Sequence, residues 1–325
     1  MKYTHLGASG LEISSVVLGC MSFGAADRGE HSWTLGLEDS RALIRQALEL
    51  GITTFDTANV YSAGSSEEIV GHVLNELTRR EGVVIATKVC DRTHPGPGGA
   101  GLSRGAIMHE IDESLRRLNT DYIDLYQVHH FDPDVPIEET MEALHDVVKA
   151  GKTRYIGASS MFTWQFAEMQ RVADVNGWTR FVSMQDQYNL LSREEEREMH
   201  PYCLETHAGV LAWSPLARGK LTRPWDASTE RSETDEFGKT LYHQFVESDQ
   251  RVVQAVAAVA AARGVSRAQI ALSWVTQQSA VTAPIIGATK RSHLDDAIAA
   301  VDVVLDEEEL TLLKQYYVPH AIEGF

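Results

Sequence analysis

The sequence predicts an α/β protein, a closed (β/α)8 TIM barrel with an N-terminal hairpin and an extra C-terminal helix, read as one domain over 1–325. Three observations predict it. Short β-branched runs alternate with longer amphipathic runs along the chain. Strict alternation demands parallel strands joined by right-handed crossovers. The first strand closes on Gly-Cys-Met-Ser-Phe-Gly (19–24), which lacks the G-x-G-x-x-G of a doubly wound nucleotide-binding sheet.

The elements follow in order. Tyr3 to Ser15 carries turn residues Gly7 and Gly10, and a strand is expected near Ser15–Gly19. A helix follows at Asp39–Leu50, where Leu43, Ile44, Ala47 and Leu48 keep helical spacing and Gly51 stops it. Next come strand Thr53–Thr57, helix Ser66–Arg79 and strand Val83–Val89. Helix Ser103–Leu118 opens on Ser103 as N-cap. Strand Tyr122–His129, helix Ile137–Ala150 and strand Tyr155–Ala158 come next. Helix Thr163–Val175, strand Phe181–Gln185, helix Arg193–Thr206 and strand Gly209–Trp213 follow. A polar stretch from Ala217 to Ser248 shows no clear elements. Helices Asp249–Arg263 and Ser266–Gln277, strand Ala283–Ile286, helix Ser292–Ala300 and helix Asp306–Tyr316 complete the chain.

A formal net charge of −17 argues against nucleic-acid and anionic-membrane partners. Cys20, Cys90 and Cys203 are odd in number and show no disulfide or metal spacing, which suggests a reducing cytoplasm. No secretory h-region is read at the start, and no metal site is expected.

A barrel presents its chemistry at the C-terminal strand ends. Asp56 closes the second strand and Tyr61 follows it; Lys88 ends the third; His129 and His130 end the fourth. Taken singly, Asp56 reads as a loop-bracing carboxylate, Tyr61 as a packing residue and Lys88 as a rim lysine. Together they suggest acid–base chemistry. An ammonium stabilises a phenolate and lowers a tyrosine pKa, a carboxylate keeps the ammonium charged, and a neutral imidazole can donate to a carbonyl oxygen. Alternation along the strand puts Leu125, Gln127 and His129 on one side. His130 is expected to point the opposite way and to be structural. The acidic run Arg193–Glu198 reads as a solvated helix face.

Seven segments carry a resemblance. They are Phe-Asp-Thr-Ala-Asn-Val-Tyr (55–61), Ala-Thr-Lys (86–88), Asp-Leu-Tyr-Gln-Val-His (124–129), Ile-Gly-Ala-Ser-Ser (156–160), Ser-Met-Gln-Asp-Gln-Tyr-Asn-Leu-Leu (183–191), Trp-Ser-Pro-Leu-Ala-Arg-Gly (213–219) and Ile-Ile-Gly-Ala-Thr-Lys (285–290). The chain resembles the aldo-keto reductases over almost its whole length. Its long stretch is similar to that of a bacterial subgroup related to potassium-channel β-subunits.

The resemblance implies NADP(H)-dependent reduction of an aldehyde or ketone. It makes Tyr61 the general acid, Lys88 paired with Asp56 its tuner, and His129 the residue that orients the carbonyl. For the cofactor it implies Gly19 and Met21, Trp213 as the nicotinamide stacking face, and Ser159, Ser160 and Gln185 at the carboxamide. Ser214, Pro215, Leu216, Arg218 and Lys220 would cradle the pyrophosphate, with the stretch to Ser248 as cover. Gly287, Thr289, Lys290, His293 and Asp296 would meet the adenosine end. There a helix N-terminus beside Lys290 and Arg291 favours a 2′-phosphate, hence NADP.

The pocket mouth is expected from Met21-Ser22-Phe23, Trp33, Tyr61, Asp91–Gly101, Phe131 and the long stretch. Two other readings remain: a nucleotide-sensing subunit with slow turnover, and a Schiff-base aldolase using Lys88.

Overall fold

The computed structural model describes residues 1–29 and 31–322. β1 (Tyr3–His5) and β2 (Glu12–Ser14) form an antiparallel hairpin. The barrel begins with β3 (Val17–Gly19), α1 (Leu37–Glu49), β4 (Thr54–Asp56), α2 (Ser65–Leu77), β5 (Val84–Val89) and α3 (Arg104–Leu118). It continues with β6 (Ile123–Val128), α4 (Ile137–Lys149), β7 (Thr153–Ser159), α5 (Thr163–Asn176), β8 (Phe181–Gln187), α6 (Met199–Thr206) and β9 (Gly209–Trp213). The chain then forms α7 (Glu230–Thr234), α8 (Glu236–Thr240), α9 (Val246–Arg263), α10 (Arg267–Thr276), β10 (Val281–Gly287), α11 (Arg291–Ala300) and α12 (Glu307–Lys314). Strands β3 to β10 pair in parallel in chain order, and β10 returns to β3 to close the barrel.

Local chemistry sets the helix ends. The Ser103 hydroxyl accepts the Ala106 N–H and caps α3, as its position predicts. Asp306 and Glu309 make a reciprocal capping box on α12.

The hairpin seals the N-terminal end of the barrel. Leu6, Leu11 and Ile13 pack on the inward-facing Val17, Ala86, Leu125, Leu211, Ala283 and Ile285. The fit is close: a Cβ on Gly7 (φ +60°) would lie 2.5 Å from the Gly209 nitrogen and the His207 oxygen. Two residues further along, the same inward phase turns polar, with Lys88 above Ala86 and Gln127 above Leu125.

Two expectations fail outside the barrel. The stretch 217–248 is not structureless, since it holds a 3₁₀ turn at Ala217–Thr222 and helices α7 and α8. Tertiary anchors order it. Arg218 binds Asp235, while Leu241 and Tyr242 are buried. The acidic run is not a solvated face either, and only its end joins a helix. Residues 194–196 form a 3₁₀ turn before α6. Glu194 accepts from the Tyr317 hydroxyl and the His320 backbone N–H, and Glu196 accepts from Tyr188 and Arg193. Burial beside Asp186 and Glu194 pushes Glu195 up to about 9.

All three cysteines are free and buried. Among the described residues no single helix is long and apolar enough to cross a membrane.

Candidate active site

The strand register gathers the predicted residues at the open end. Gly19 pairs with Asp56, Asp56 with Ala86, Lys88 with Gln127, and Ser159 with Gln185. The Lys88 ammonium is fully buried inside this ring. It donates to Asp56 Oδ1 at 2.5 Å, to the Thr57 carbonyl at 2.8 Å and to the Tyr61 hydroxyl at 3.3 Å. All three of its N–H donors therefore have acceptors, which a buried ammonium requires. Asp56 Oδ2 accepts from Gln127 Nε2 at 3.0 Å and Gln185 Nε2 at 2.9 Å. Gly157 makes room for this network, because a Cβ there would lie 2.6 Å from Ser183 Oγ and 3.2 Å from Gln127 Cγ.

These contacts decide the protonation states. Burial alone would lower the Lys88 pKa, but Asp56 and Tyr61 outweigh it and raise it, so the lysine is charged. The expected depression of the Tyr61 pKa is not found. Burial raises it and outweighs the Lys88 charge, which Asp56 already neutralises. Tyr61 is therefore a phenol, a proton donor, in this state.

The histidines also depart from expectation. β6 ends at Val128, so the alternation that would separate His129 from His130 stops before them. Both rings turn to Asp91: His129 Nδ1 lies 2.5 Å from Oδ2, and His130 Nε2 lies 3.3 Å from Oδ1. His129 stands edge-on to Tyr61, with ring centroids 5.7 Å apart. Burial, with Lys88 and His130 nearby, lowers its pKa against the pull of Asp91.

The cofactor candidates divide. Trp213 is half-buried at the end of β9, and Ser159 and Ser160 place their hydroxyls 3.1 Å apart. After Trp213 the backbone takes positive φ at Ser214, Ala217, Arg218 and Gly219, and the Ala217 and Gly219 N–H groups bond the Ser214 and Leu216 carbonyls within the turn. Pro215 is buried and Leu216 half-buried between them. Lys220 lies over the Trp225 ring at 4.1 Å, and burial lowers its pKa.

Gly19 packs against Ile285, while Gly287 opens to solvent; Met21 is half-buried. Lys290 caps α11, and His293 Nδ1 accepts the Thr289 N–H at 3.3 Å. Lys290 and Arg291 are exposed and make no ion pair among the described residues.

Three candidates are already engaged. Arg218 donates to Asp235 at 2.7 Å, so its charge is neutralised within the chain. Asp296 Oδ1 accepts from Ser266 and Gln269, both at 2.8 Å, and braces α10 against α11. Gln185 turns its amide nitrogen to Asp56 and Gln127. Phe23, expected at the mouth, is fully buried in the core, and Ser22 bonds the Ala288 carbonyl.

Sequence reasoning missed four partners. Gln127 could have been found as a polar residue in an apolar strand, in phase with His129. Asp91 gave no signal beyond its place three residues after Lys88. Glu67 and Arg117 form a buried pair at 2.6 Å behind β5, and Glu67 also accepts from Thr87. Among the described residues one group, His94, His109 and Glu110, gathers ligand-type atoms within 4.8 Å. The Glu110 oxygens are already taken by Thr93 and Asn59.

The chain matches the aldo/keto reductase family over residues 15–318. It is 44% identical to a versiconal hemiacetal acetate reductase of Aspergillus parasiticus, over 99% of this chain and 98% of that protein. It is 42% identical to a putative aryl-alcohol dehydrogenase of Schizosaccharomyces pombe, over 99% and 97%. It is 40% identical to a putative aryl-alcohol dehydrogenase of Saccharomyces cerevisiae, over 98% of each. All three relatives are fungal, where the long stretch had suggested a bacterial subgroup. A buried lysine between a carboxylate and a tyrosine at the mouth of such a barrel agrees with what these matches show: the chain belongs to the aldo/keto reductase family, and it is an oxidoreductase of carbonyl and alcohol groups.

Proposed function

We propose that this protein reduces an aldehyde or ketone to an alcohol with NADP(H), using Tyr61 as general acid. One observation carries the reading. Lys88 bonds Asp56 and Tyr61 at once in a water-poor pocket. The phenol can pass its proton to an oxygen that is gaining negative charge, and the adjacent ammonium stabilises the phenolate left behind. Asp56, held by Gln127 and Gln185, keeps Lys88 charged and in place. His129 orients the substrate oxygen beside Tyr61.

The family uses nicotinamide nucleotides. The residues present suit one. Trp213 offers a flat face, Ser159 and Ser160 offer hydroxyls, and the positive-φ turn after β9 carries Lys220 as a cation for a pyrophosphate. A bound nicotinamide supplies the hydride. We assign Gly19, Met21, Gln185, Ser214, Pro215, Leu216, Lys220, Gly287 and Thr289 to the same cleft. Lys290 and Arg291 at the start of α11 favour a 2′-phosphate, and so NADP. With Arg218 spent on Asp235, the pyrophosphate falls to Lys220.

The relatives' names divide between a reductase and aryl-alcohol dehydrogenases, the two directions of one interconversion. The acidic charge and free thiols favour a cytoplasmic enzyme of small molecules, without nucleic-acid or membrane partners. The aldolase reading loses ground, because a Schiff base needs a free amine and the Lys88 pKa is raised.

Turnover of a panel of aldehydes and ketones with NADPH and NADH tests the proposal. Rapid NADPH-dependent reduction is expected. Tight nucleotide binding with negligible turnover would favour the sensing subunit instead. In Lys290→Ala the preference for NADPH over NADH should fall by about tenfold, the weight of one charge-assisted contact. An unchanged ratio, read by fluorescence titration, removes Lys290 from the site.

A further inference from the structure

Tyr61 is followed by an unusual turn. Ser62, Ala63 and Gly64 take φ of +48°, +50° and +85°, three left-handed residues in a row, and α2 starts at Ser65. A residue with a Cβ resists that backbone, which persists only where the surroundings hold it. Here they do. The Ala63 carbonyl accepts from Arg28 at 2.5 Å, and the Ser62 carbonyl accepts from the Ser65 hydroxyl at 2.7 Å. Ser62 is buried, and a Cβ on Gly24 would lie 2.3 Å from the Ser62 Cβ. Against the end of the turn lies Arg117. A Cβ on Gly64 would meet its Cδ at 2.8 Å and its Nε at 3.1 Å.

Arg117 reaches this place from the last turn of α3. Gly71 lets α2 close on that helix end, since a Cβ there would lie 2.2 Å from the Leu118 carbonyl oxygen. The Arg117 side chain is nine-tenths buried between two carboxylates: Nε donates to Glu67 Oε2 at 2.6 Å, and Nη2 lies 3.6 Å from Glu110 Oε2. Both carboxylates run on toward the reacting groups. Glu67 Oε1 accepts from the hydroxyl of Thr87, the neighbour of Lys88, at 2.5 Å. Glu110 Oε2 accepts from Asn59 Nδ2 at 2.8 Å, two residues before Tyr61, and the Asn59 N–H bonds the Lys88 carbonyl at 3.3 Å. One guanidinium thus ties the segment that carries the phenol to the strand that carries the ammonium, from behind β5.

We propose that Arg117 is a positioning residue for Tyr61. Its stem, fixed by Glu67 and Glu110, supports the left-handed turn at 62–64 and so holds the phenol 3.3 Å from Lys88 Nζ. This deepens the proposed function and rests on it. With right-handed dihedrals at Ser62 and Ala63 the turn would run on into α2, and the chain would leave Tyr61 in another direction. The hydroxyl would then lose the ammonium that stabilises its phenolate. The residues assigned to the nucleotide lie elsewhere, so the loss falls on kcat rather than on nucleotide affinity.

The placement of Tyr61 can be read without turnover. Protein labelled with 3-fluorotyrosine is examined by 19F NMR, with Tyr61→Phe to assign the signal. Arg117→Met alone would leave Glu67 buried and unpaired, so it is combined with Glu67→Gln, which can still accept from Thr87. In this double variant the Tyr61 signal should shift or split. Its kcat for carbonyl reduction should fall by about tenfold or more, with KM for carbonyl and NADPH within about threefold of wild type. Adding Ala63→Gly should return part of that loss, because glycine adopts left-handed backbone freely. Gly64→Ala keeps every charge and tests the same contact should the double variant not fold. Its Cβ displaces the Arg117 stem, and the same change of signal and fall in kcat are expected. A wild-type signal or a wild-type kcat in the folded variants overturns the proposal, as does a loss of kcat that Ala63→Gly leaves untouched. Absence of carbonyl turnover in the wild type would instead overturn the proposed function, since the spectrum does not depend on it.

Discussion

The two ends of this barrel are built from the same strands in the same phase, and they differ in almost everything else. At the closed end Val17, Ala86, Leu125, Leu211 and Ile285 meet the hairpin residues Leu6, Leu11 and Ile13. At the open end Asp56, Lys88, Gln127 and Gln185 satisfy one another's hydrogen bonds. One step of the strand period, two residues, separates Leu125 from Gln127 and Ala86 from Lys88. The apolar end contributes stability through area removed from water. The polar end sacrifices such area for a fixed charge, and it is tolerable only because its donors are paired.

The comparison can be broken by substitution. The largest effect is expected at the polar end. Lys88→Met should leave Asp56 buried without its cation, at about 3–5 kcal/mol of stability, and should lower kcat at least a hundredfold. Adding Asp56→Asn to that variant should return much of the stability and none of the rate, as denaturant titration beside steady-state assay would show. Recovery of the rate would mean that the pair serves the fold only. At the closed end, Leu125→Ala should remove about 2–5 kcal/mol, by the cavity it leaves, with kcat within about twofold of wild type. A large loss of kcat with intact secondary structure would show that the two ends are mechanically coupled.

The barrel and most of its polar end were legible in the chain because both follow from local periodicity. Strand alternation places Lys88, Gln127 and Asp56 at their depths, and the strand ends follow from Gly and Pro punctuation and helix caps. What escaped depends on partners distant in sequence, or on the end of periodicity itself. The acidic run 194–196 reads as solvated until Tyr317, 123 residues from Glu194, is brought against it. Arg218 reads as a phosphate ligand until Asp235 claims it. His129 and His130 read as opposed because alternation was carried one residue beyond the strand, whereas the backbone bends after Val128 and both rings find one carboxylate. The Lys88 charge alone would lower the Tyr61 pKa, but the burial around the phenol, which depends on the packed barrel mouth, outweighs it.

Tyr61→Phe tests the central claim most directly. The substitution removes one hydroxyl and leaves the Lys88–Asp56 pair in place. The account predicts NADPH affinity within about twofold of wild type and a fall in carbonyl reduction of about a hundredfold or more, the usual weight of a positioned general acid. Reduction of the same aldehydes at the wild-type rate would contradict it.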